Sequence, residues 1–172
     1  MKRRLSLALL LLTGGSGALA KEAAKATPEQ LAQGKTLYMT VCIACHQVNG
    51  AGLPGVFPSI VKSDYVNGSP KRLVAMVLKG INPPFKHKGA TYLVPMIAQE
   101  ALLDDAKIAA ILTYVRASFE NNAPPVSAEF VAGVRKELAA RKAPWTQAEL
   151  DNWKDDAAAA PALPVLPADQ NN

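Results

Sequence analysis

The chain has 172 residues, 49% hydrophobic and 19% charged, a composition suited to one globular domain with extra segments. The lack of a repeat and the apolar content exclude collagen-like, coiled-coil and wholly disordered chains, and two cysteines exclude a disulfide scaffold. The formal charge of +5 includes three basic residues at positions 2–4, and the remaining 16 basic against 14 acidic residues argue against a nucleic-acid binder.

The first twenty residues have the pattern of a secretory signal peptide. Basic residues 2–4 precede a short apolar run from Leu5 to Leu12, and Ala-Leu-Ala at 18–20 matches the small-x-small site of signal peptidase. The alternative is a membrane anchor, but a span needs roughly 20 apolar residues. We therefore predict a signal peptide over residues 1–20 and a periplasmic protein without a membrane span in the mature chain.

Helices are predicted at both ends of a domain that covers residues 27–122, and in its middle. Thr27 and Gln30 form the capping box of the first helix. The second helix begins after Ser69 and ends at Gly80, which suits a left-handed turn. The third begins at Asp104-Asp105, with apolar side chains at helical spacing: Ile108, Ile111, Leu112, Val115 and Phe119.

The loops and the C-terminal part of the chain differ from these helices in composition. Gly- and Pro-rich loops separate the helices, and no alternating strand pattern stands out, so the domain is predicted to be all-α. Residues 123–156 are predicted to be a short helical extension, in which Ser127 caps one helix and Thr146 and Glu149 form a second capping box. Residues 157–172 are rich in Ala and Pro and are predicted to be a disordered tail.

Both cysteines of the chain lie within the five residues Cys42-Ile-Ala-Cys45-His46. This spacing is typical of haem c attachment, in which the two thiols add to the porphyrin vinyl groups and the adjacent imidazole reaches the iron. A redox dithiol is one alternative, but it favours a βαβ context that is not visible. Another is a zinc site that adds distant His87, although this spacing fits no common zinc pattern.

Residues 27–122 resemble the class I c-type cytochromes, the bacterial monohaem cytochrome c family. The landmarks are Gly34 and Tyr38 before the CIACH motif, then the loops GLPGVFPSI and LVPMIA, and the closing segment DDAKIAAILTYVRASF. The resemblance implies an all-α cytochrome c fold of three to five helices around one covalently bound haem c, followed here by the C-terminal extension. It also implies a close crossing of the first and last helices, which Gly34 permits because it has no Cβ.

The resemblance implies that Met96 is the second axial ligand of the haem iron, opposite His46. The other candidates are Met39, which is too close to the attachment site, and Met76, whose helical neighbours are apolar and indicate core packing. His87 lies between two lysines and is predicted to be a solvated loop residue. A soft, neutral sulfur favours Fe(II) and raises the reduction potential.

Further positions are implied around the haem. Pro58, twelve residues after His46, corresponds to the family proline whose carbonyl orients the proximal imidazole, although a simple turn residue is the alternative. Four residues are candidates for the apolar wall that keeps water from the iron: Ile60, Tyr65, Leu73 and Tyr92.

Basic residues outnumber acidic ones between positions 62 and 88, where Asp64 is the only acid. If these side chains surround an exposed haem edge, they steer the protein towards redox partners with acidic docking surfaces. The alternative is a solvated surface without a steering role. The six residues are Lys62, Lys71, Arg72, Lys79, Lys86 and Lys88.

Together these features predict a periplasmic one-electron carrier rather than an enzyme, either free or as the cytochrome subunit of a dehydrogenase. It would shuttle electrons from a dehydrogenase or respiratory complex to an acceptor such as a terminal oxidase. The alternative is a haem enzyme or sensor with an open sixth site that binds a small ligand or reacts with peroxide. That alternative requires Met96 to be absent from the iron or displaceable, and a peroxidase would also need a distal acid–base group, for which His87 is the only candidate.

Overall fold

The computed structural model describes residues 25–155, so the predicted signal peptide and the predicted tail lie outside the described residues. No helix in this range combines the length and the apolar character needed to cross a membrane. The elements, in chain order, are α1 (Pro28–Val41), α2 (Ile43–His46), α3 (Asp64–Asn67), α4 (Pro70–Lys79), β1 (Phe85–His87), β2 (Ala90–Tyr92), α5 (Asp105–Ala117), α6 (Ala128–Glu137) and α7 (Gln147–Asp151).

The main helices begin at the predicted caps. The Thr27 hydroxyl accepts a hydrogen bond from the Gln30 N–H, and the Gln30 side chain accepts one from the Thr27 N–H. At the starts of α4, α5 and α6, the side chains of Ser69, Asp104 and Ser127 each accept a hydrogen bond from the backbone N–H three residues later, without the reciprocal bond. Because each cap satisfies backbone donors that a helix start leaves free, these boundaries are set by local sequence.

A small antiparallel hairpin, β1–β2, is the one departure from a purely helical fold among the described elements. Its two-residue turn has positive φ at Lys88 and Gly89 (50° and 78°), which matches the twist of paired strands. The strands have only three residues each. They were not predicted because so short a segment shows no alternating pattern.

Helices α1 and α5 cross at Gly34, as predicted. A Cβ built on Gly34 would lie 2.1 Å from the Ala110 carbonyl oxygen and 2.6 Å from the Tyr114 Cβ, so only glycine fits. Beside this crossing Tyr38 is fully buried, and its hydroxyl donates to the Gln47 carbonyl at 2.6 Å. The crossing thus sets the direction in which α1 leads into the CIACH segment.

Asn121 joins the end of the predicted cytochrome domain to the loop before α3. Its Oδ1 accepts from the Ser63 N–H at 3.0 Å and from the Asn67 Nδ2 at 2.8 Å. Its Nδ2 donates to the carbonyls of Ile60 and Val115, both at 3.0 Å. A buried amide with four partners satisfies its full hydrogen-bonding capacity and fixes this part of the fold.

The C-terminal extension packs against the helices of the predicted cytochrome domain. Helix α6 contacts α4 and α5 and buries Val131 and Val134, while α7 buries Leu150. The Thr113 hydroxyl of α5 exchanges hydrogen bonds with the Val126 backbone at 3.1–3.2 Å. The extension therefore shares the hydrophobic core instead of standing apart from it.

Candidate functional site

The CIACH residues form the junction of α1 and α2. The Cys42 N–H donates to the Tyr38 carbonyl, and the His46 N–H donates to the Cys42 carbonyl, both at 2.9 Å. Because Cys42 and Cys45 are three residues apart on this turn, their side chains lie on one side of it. Both cysteine side chains are partly buried, and they are not joined in a disulfide.

His46 is oriented by the loop that follows α2. Its Nδ1 lies 3.1 Å from the Pro58 carbonyl oxygen, at the position implied by the resemblance. Burial lowers the pKa of His46, and this contact partly opposes the effect. A neutral ring that donates from Nδ1 leaves the lone pair of Nε2 available for a metal.

A cavity of about 400 Å³ lies beside this junction, and its wall is mainly apolar. This apolar space would suit a covalently bound haem, because it is surrounded by two thiols, an imidazole and a thioether. The cavity is bordered by every residue that the sequence analysis assigned to the haem: Cys42, Cys45, His46, Pro58, Ile60, Tyr65, Leu73, Tyr92 and Met96.

Met96 reaches the cavity from a loop that pairs with the end of α4. Its N–H and carbonyl exchange hydrogen bonds with the backbone of Ile81, both at 3.0 Å. Gly80 has φ +73°, and a Cβ there would lie 2.3 Å from the Met96 carbonyl oxygen. Met76 also borders the cavity, from a buried position in α4, whereas Met39 is exposed and does not.

The prediction that His87 is a solvated loop residue is wrong. His87 is only 8% exposed, because β1 alternates and turns Phe85 and His87 inwards while Lys86 faces outwards. Its Nε2 lies 3.1 Å from the Ser59 carbonyl oxygen. Burial lowers its pKa, as does the charge of Lys88, and both effects favour the neutral ring beside the loop that orients His46.

The six basic residues between positions 62 and 88 do not form one exposed surface. Lys79 is 4% exposed and its ammonium group lies 2.5 Å from Glu100, so its prediction as a surface residue is wrong. Its partner lies 21 residues away, and sequence reading did not connect the two. Two further ion pairs, at 2.7 Å each, join Lys62 to Glu120 and Lys71 to Glu137.

Trp145, in the extension to which the sequence analysis gave no role, lies behind the Met96 loop. Its N–H donates to the Gly80 carbonyl at 3.0 Å, and its carbonyl accepts from the Asn82 N–H at 2.8 Å. Its indole Nε1 donates to the Ala75 carbonyl at 2.9 Å. The capping box at 146–149 indicated a helix, but no local signal connects it with residues about 65 positions earlier.

A sequence model described as Cytochrome c matches residues 31–118, half of the chain. The chain belongs to the cytochrome c family. It is 34% identical to cytochrome c-552 of Thermus thermophilus over 119 residues, which are 67% of this chain and 70% of that protein. Members of this family carry covalently bound haem c with its iron and transfer electrons, so the part of the chain that matches is an electron-transfer domain.

Two further relatives are subunits of dehydrogenases. The fructose dehydrogenase cytochrome subunit of Gluconobacter japonicus is 35% identical over 107 residues, and the gluconate 2-dehydrogenase cytochrome c subunit of Pantoea cypripedii is 31% identical over 107 residues. These matches cover 59% and 60% of this chain. The chain spans only 22% and 24% of the length of those proteins.

The alternatives to haem find no support in the geometry. Burial, together with the neighbouring Cys45, raises the pKa of Cys42 to about 11, whereas a reactive dithiol needs a lowered thiol pKa. Over residues 25–155, no three His, Cys, Asp or Glu side chains gather into a metal site. The four candidate zinc ligands of the sequence analysis all border the cavity, but they do not lie close enough together to bind one zinc ion.

Proposed function

We propose that this cytochrome c is a periplasmic one-electron carrier in which Cys42 and Cys45 bind haem c covalently and His46 and Met96 are the axial ligands. When bound there, haem would supply the one-electron Fe(III)/Fe(II) redox chemistry. The observation that carries the proposal is that all four side chains border one apolar cavity. The cytochrome c domain extends over residues 27–122.

The residues around the axial ligands have separate roles. The Pro58 carbonyl accepts the Nδ1 proton of His46, which fixes the ring and makes Nε2 a better donor to the iron. The Met96 sulfur is a soft, neutral ligand that favours the reduced state. Tyr65, Leu73 and other apolar residues of the cavity wall exclude water, which also raises the potential.

The partner is proposed from the chain's relatives and from its surface. Two relatives are cytochrome subunits of sugar or sugar-acid dehydrogenases, which supports a dehydrogenase as the electron donor. Export depends on the signal peptide predicted for residues 1–20, and the electrons pass on to an acceptor such as a respiratory complex or terminal oxidase. Lys86 and Lys88 are exposed on the hairpin beside the cavity and would contact an acidic surface of a partner.

Substitution of the two methionines that border the cavity tests the ligand set. In Met96→Ala, the weak long-wavelength band of sulfur-ligated Fe(III) should disappear, and carbon monoxide should bind the reduced protein rapidly. Met76→Ala is the matched control: it should keep the band and only lose stability, by about 2–5 kcal/mol for a buried methionine. Met96→His should remain six-coordinate with a lower potential, because imidazole favours Fe(III).

The same measurements identify the alternatives. If Met76→Ala removes the band and Met96→Ala keeps it, the ligand assignment is wrong. If the unmodified protein has no such band and binds carbon monoxide at once when reduced, its sixth site is open. The electron-carrier proposal would then yield to a ligand-binding or peroxide-reacting function.

A further inference from the structure

The C-terminal extension is connected to Met96 through a three-residue segment after α4. Trp145 pairs with this segment on one side, through its N–H to the Gly80 carbonyl and its carbonyl to the Asn82 N–H. Ile81, in the middle of the segment, pairs with Met96 on the other side. The pairing is parallel with Trp145 and antiparallel with Met96. Residues from the extension, the segment and the Met96 loop thus form three adjacent strips of backbone.

The outer strip is fixed by the side chain of Trp145. Trp145 is 9% exposed, and its indole Nε1 donates to the Ala75 carbonyl inside α4. The Arg141 guanidinium stacks 3.6 Å from the ring centre, and Trp153 packs edge-on with ring centres 5.2 Å apart. A tryptophan held by packing, a hydrogen bond and a cation anchors its own backbone firmly.

Gln147, two residues further on, supports a second wall of the cavity. Its Oε1 accepts from the Lys86 N–H at 2.7 Å, and its Nε2 donates to the Tyr65 hydroxyl at 3.1 Å. Lys86 lies in β1, whose inward-facing side chains border the cavity, as does Tyr65. The extension therefore contacts the residues behind the cavity wall at two points, and the one at Trp145 leads to Met96.

We propose that Trp145 is a positioning residue for Met96: by fixing residues 80–82, it restrains the loop and limits dissociation of the sulfur from the haem iron. This inference rests on the proposed function, in which Met96 is the sixth ligand. An added ligand such as imidazole binds the iron only when the sulfur has left. Its apparent affinity for the oxidised holoprotein therefore reports the fraction of molecules in which the loop is released.

Imidazole titration of the oxidised, full-length holoprotein tests the inference. Trp145→Ala should raise the apparent affinity for imidazole roughly tenfold, because residues 80–82 lose the side chain that holds them against the Met96 loop. Trp145→Phe keeps a buried aromatic ring but loses the Nε1 donor and part of the ring area, so it should have a smaller effect and raise the affinity by about threefold. If the alanine variant does not fold, the phenylalanine variant still tests the inference.

Val131→Ala is the matched control, because Val131 is a fully buried apolar residue of the same extension that lies in α6, outside the paired strips. It should lower the unfolding temperature but change imidazole affinity by less than about twofold. The inference is overturned if the Trp145 variants leave the affinity unchanged, or if Val131→Ala raises it as much.

Met96→Ala separates failure of this inference from failure of the proposed ligand set. If that variant keeps the sulfur-to-iron band, the ligand assignment and the inference both fall. If it loses the band while the Trp145 variants bind imidazole as the unmodified protein does, only the positioning role of Trp145 falls.

Discussion

Replacing Gly34 with alanine tests the close crossing of α1 and α5, on which the geometry of the site depends. The added Cβ would lie 2.1 Å from a backbone oxygen, that of Ala110, so no flexible side chain can move aside. Ordinary contact requires the helices to separate by roughly 1 Å in a close-packed core. Overpacking costs about 1–3 kcal/mol or more, and the helix propensity of alanine returns about 1 kcal/mol.

We therefore expect Gly34→Ala to lower the free energy of unfolding by about 2 kcal/mol, which lowers the unfolding temperature by roughly 10 °C in a domain of this size. Gly133→Ala is the control, because Gly133 lies in α6 and no atom lies within 4 Å of an added Cβ. It should stabilise the protein by up to about 1 kcal/mol. Thermal unfolding of the two holoprotein variants, monitored by far-UV circular dichroism, measures both changes in stability. Equal stabilisation by the two substitutions would refute the described crossing.

Three more predictions concern folding and pH. Cys42→Ala/Cys45→Ala should give a poorly folded chain, because the haem fills the cavity of about 400 Å³; native helix content with a sharp thermal transition would contradict this. The Arg141 side chain holds the pKa of Glu149 at about 2, below the ordinary glutamate pKa of 4.5. The stability that this pair contributes is therefore fully present above pH 4.5 and is lost as the pH falls towards 2. In urea titrations at several pH values, Glu149→Gln should lose less stability at low pH, and the difference should stay below about 1 kcal/mol because the Glu149 side chain is exposed. Asn121→Asp should cost about 3 kcal/mol near neutral pH, since a carboxylate oxygen would face two backbone carbonyls; a loss under about 1 kcal/mol in urea would count against the described hydrogen bonds.

The features predicted correctly from sequence are those encoded by neighbouring residues. Helix starts at Thr27, Ser69 and Thr146 depend on side chains within three positions of the backbone groups they satisfy. The spacing of the CIACH motif likewise indicated haem attachment, and the family match supports haem c. The contact between His46 and Pro58 was expected only because the family resemblance supplied it.

The features that were missed depend on partners distant in sequence. Lys79 is buried because Glu100 meets it after an intervening hairpin and loop, and His87 is buried because a three-residue strand turns it inwards. Asn121 connects positions up to 61 residues away. Tertiary packing decides such positions, and local periodicity carries no signal of them.

A redox titration of the purified holoprotein, followed by visible spectroscopy, tests the central claim most directly. We predict one reversible one-electron transition, with a sulfur-to-iron band in the oxidised protein that disappears on reduction and no rapid binding of carbon monoxide to the reduced form. The account would be contradicted by the absence of a reversible one-electron transition. It would equally be contradicted by an oxidised protein that lacks the band and, once reduced, binds carbon monoxide at once.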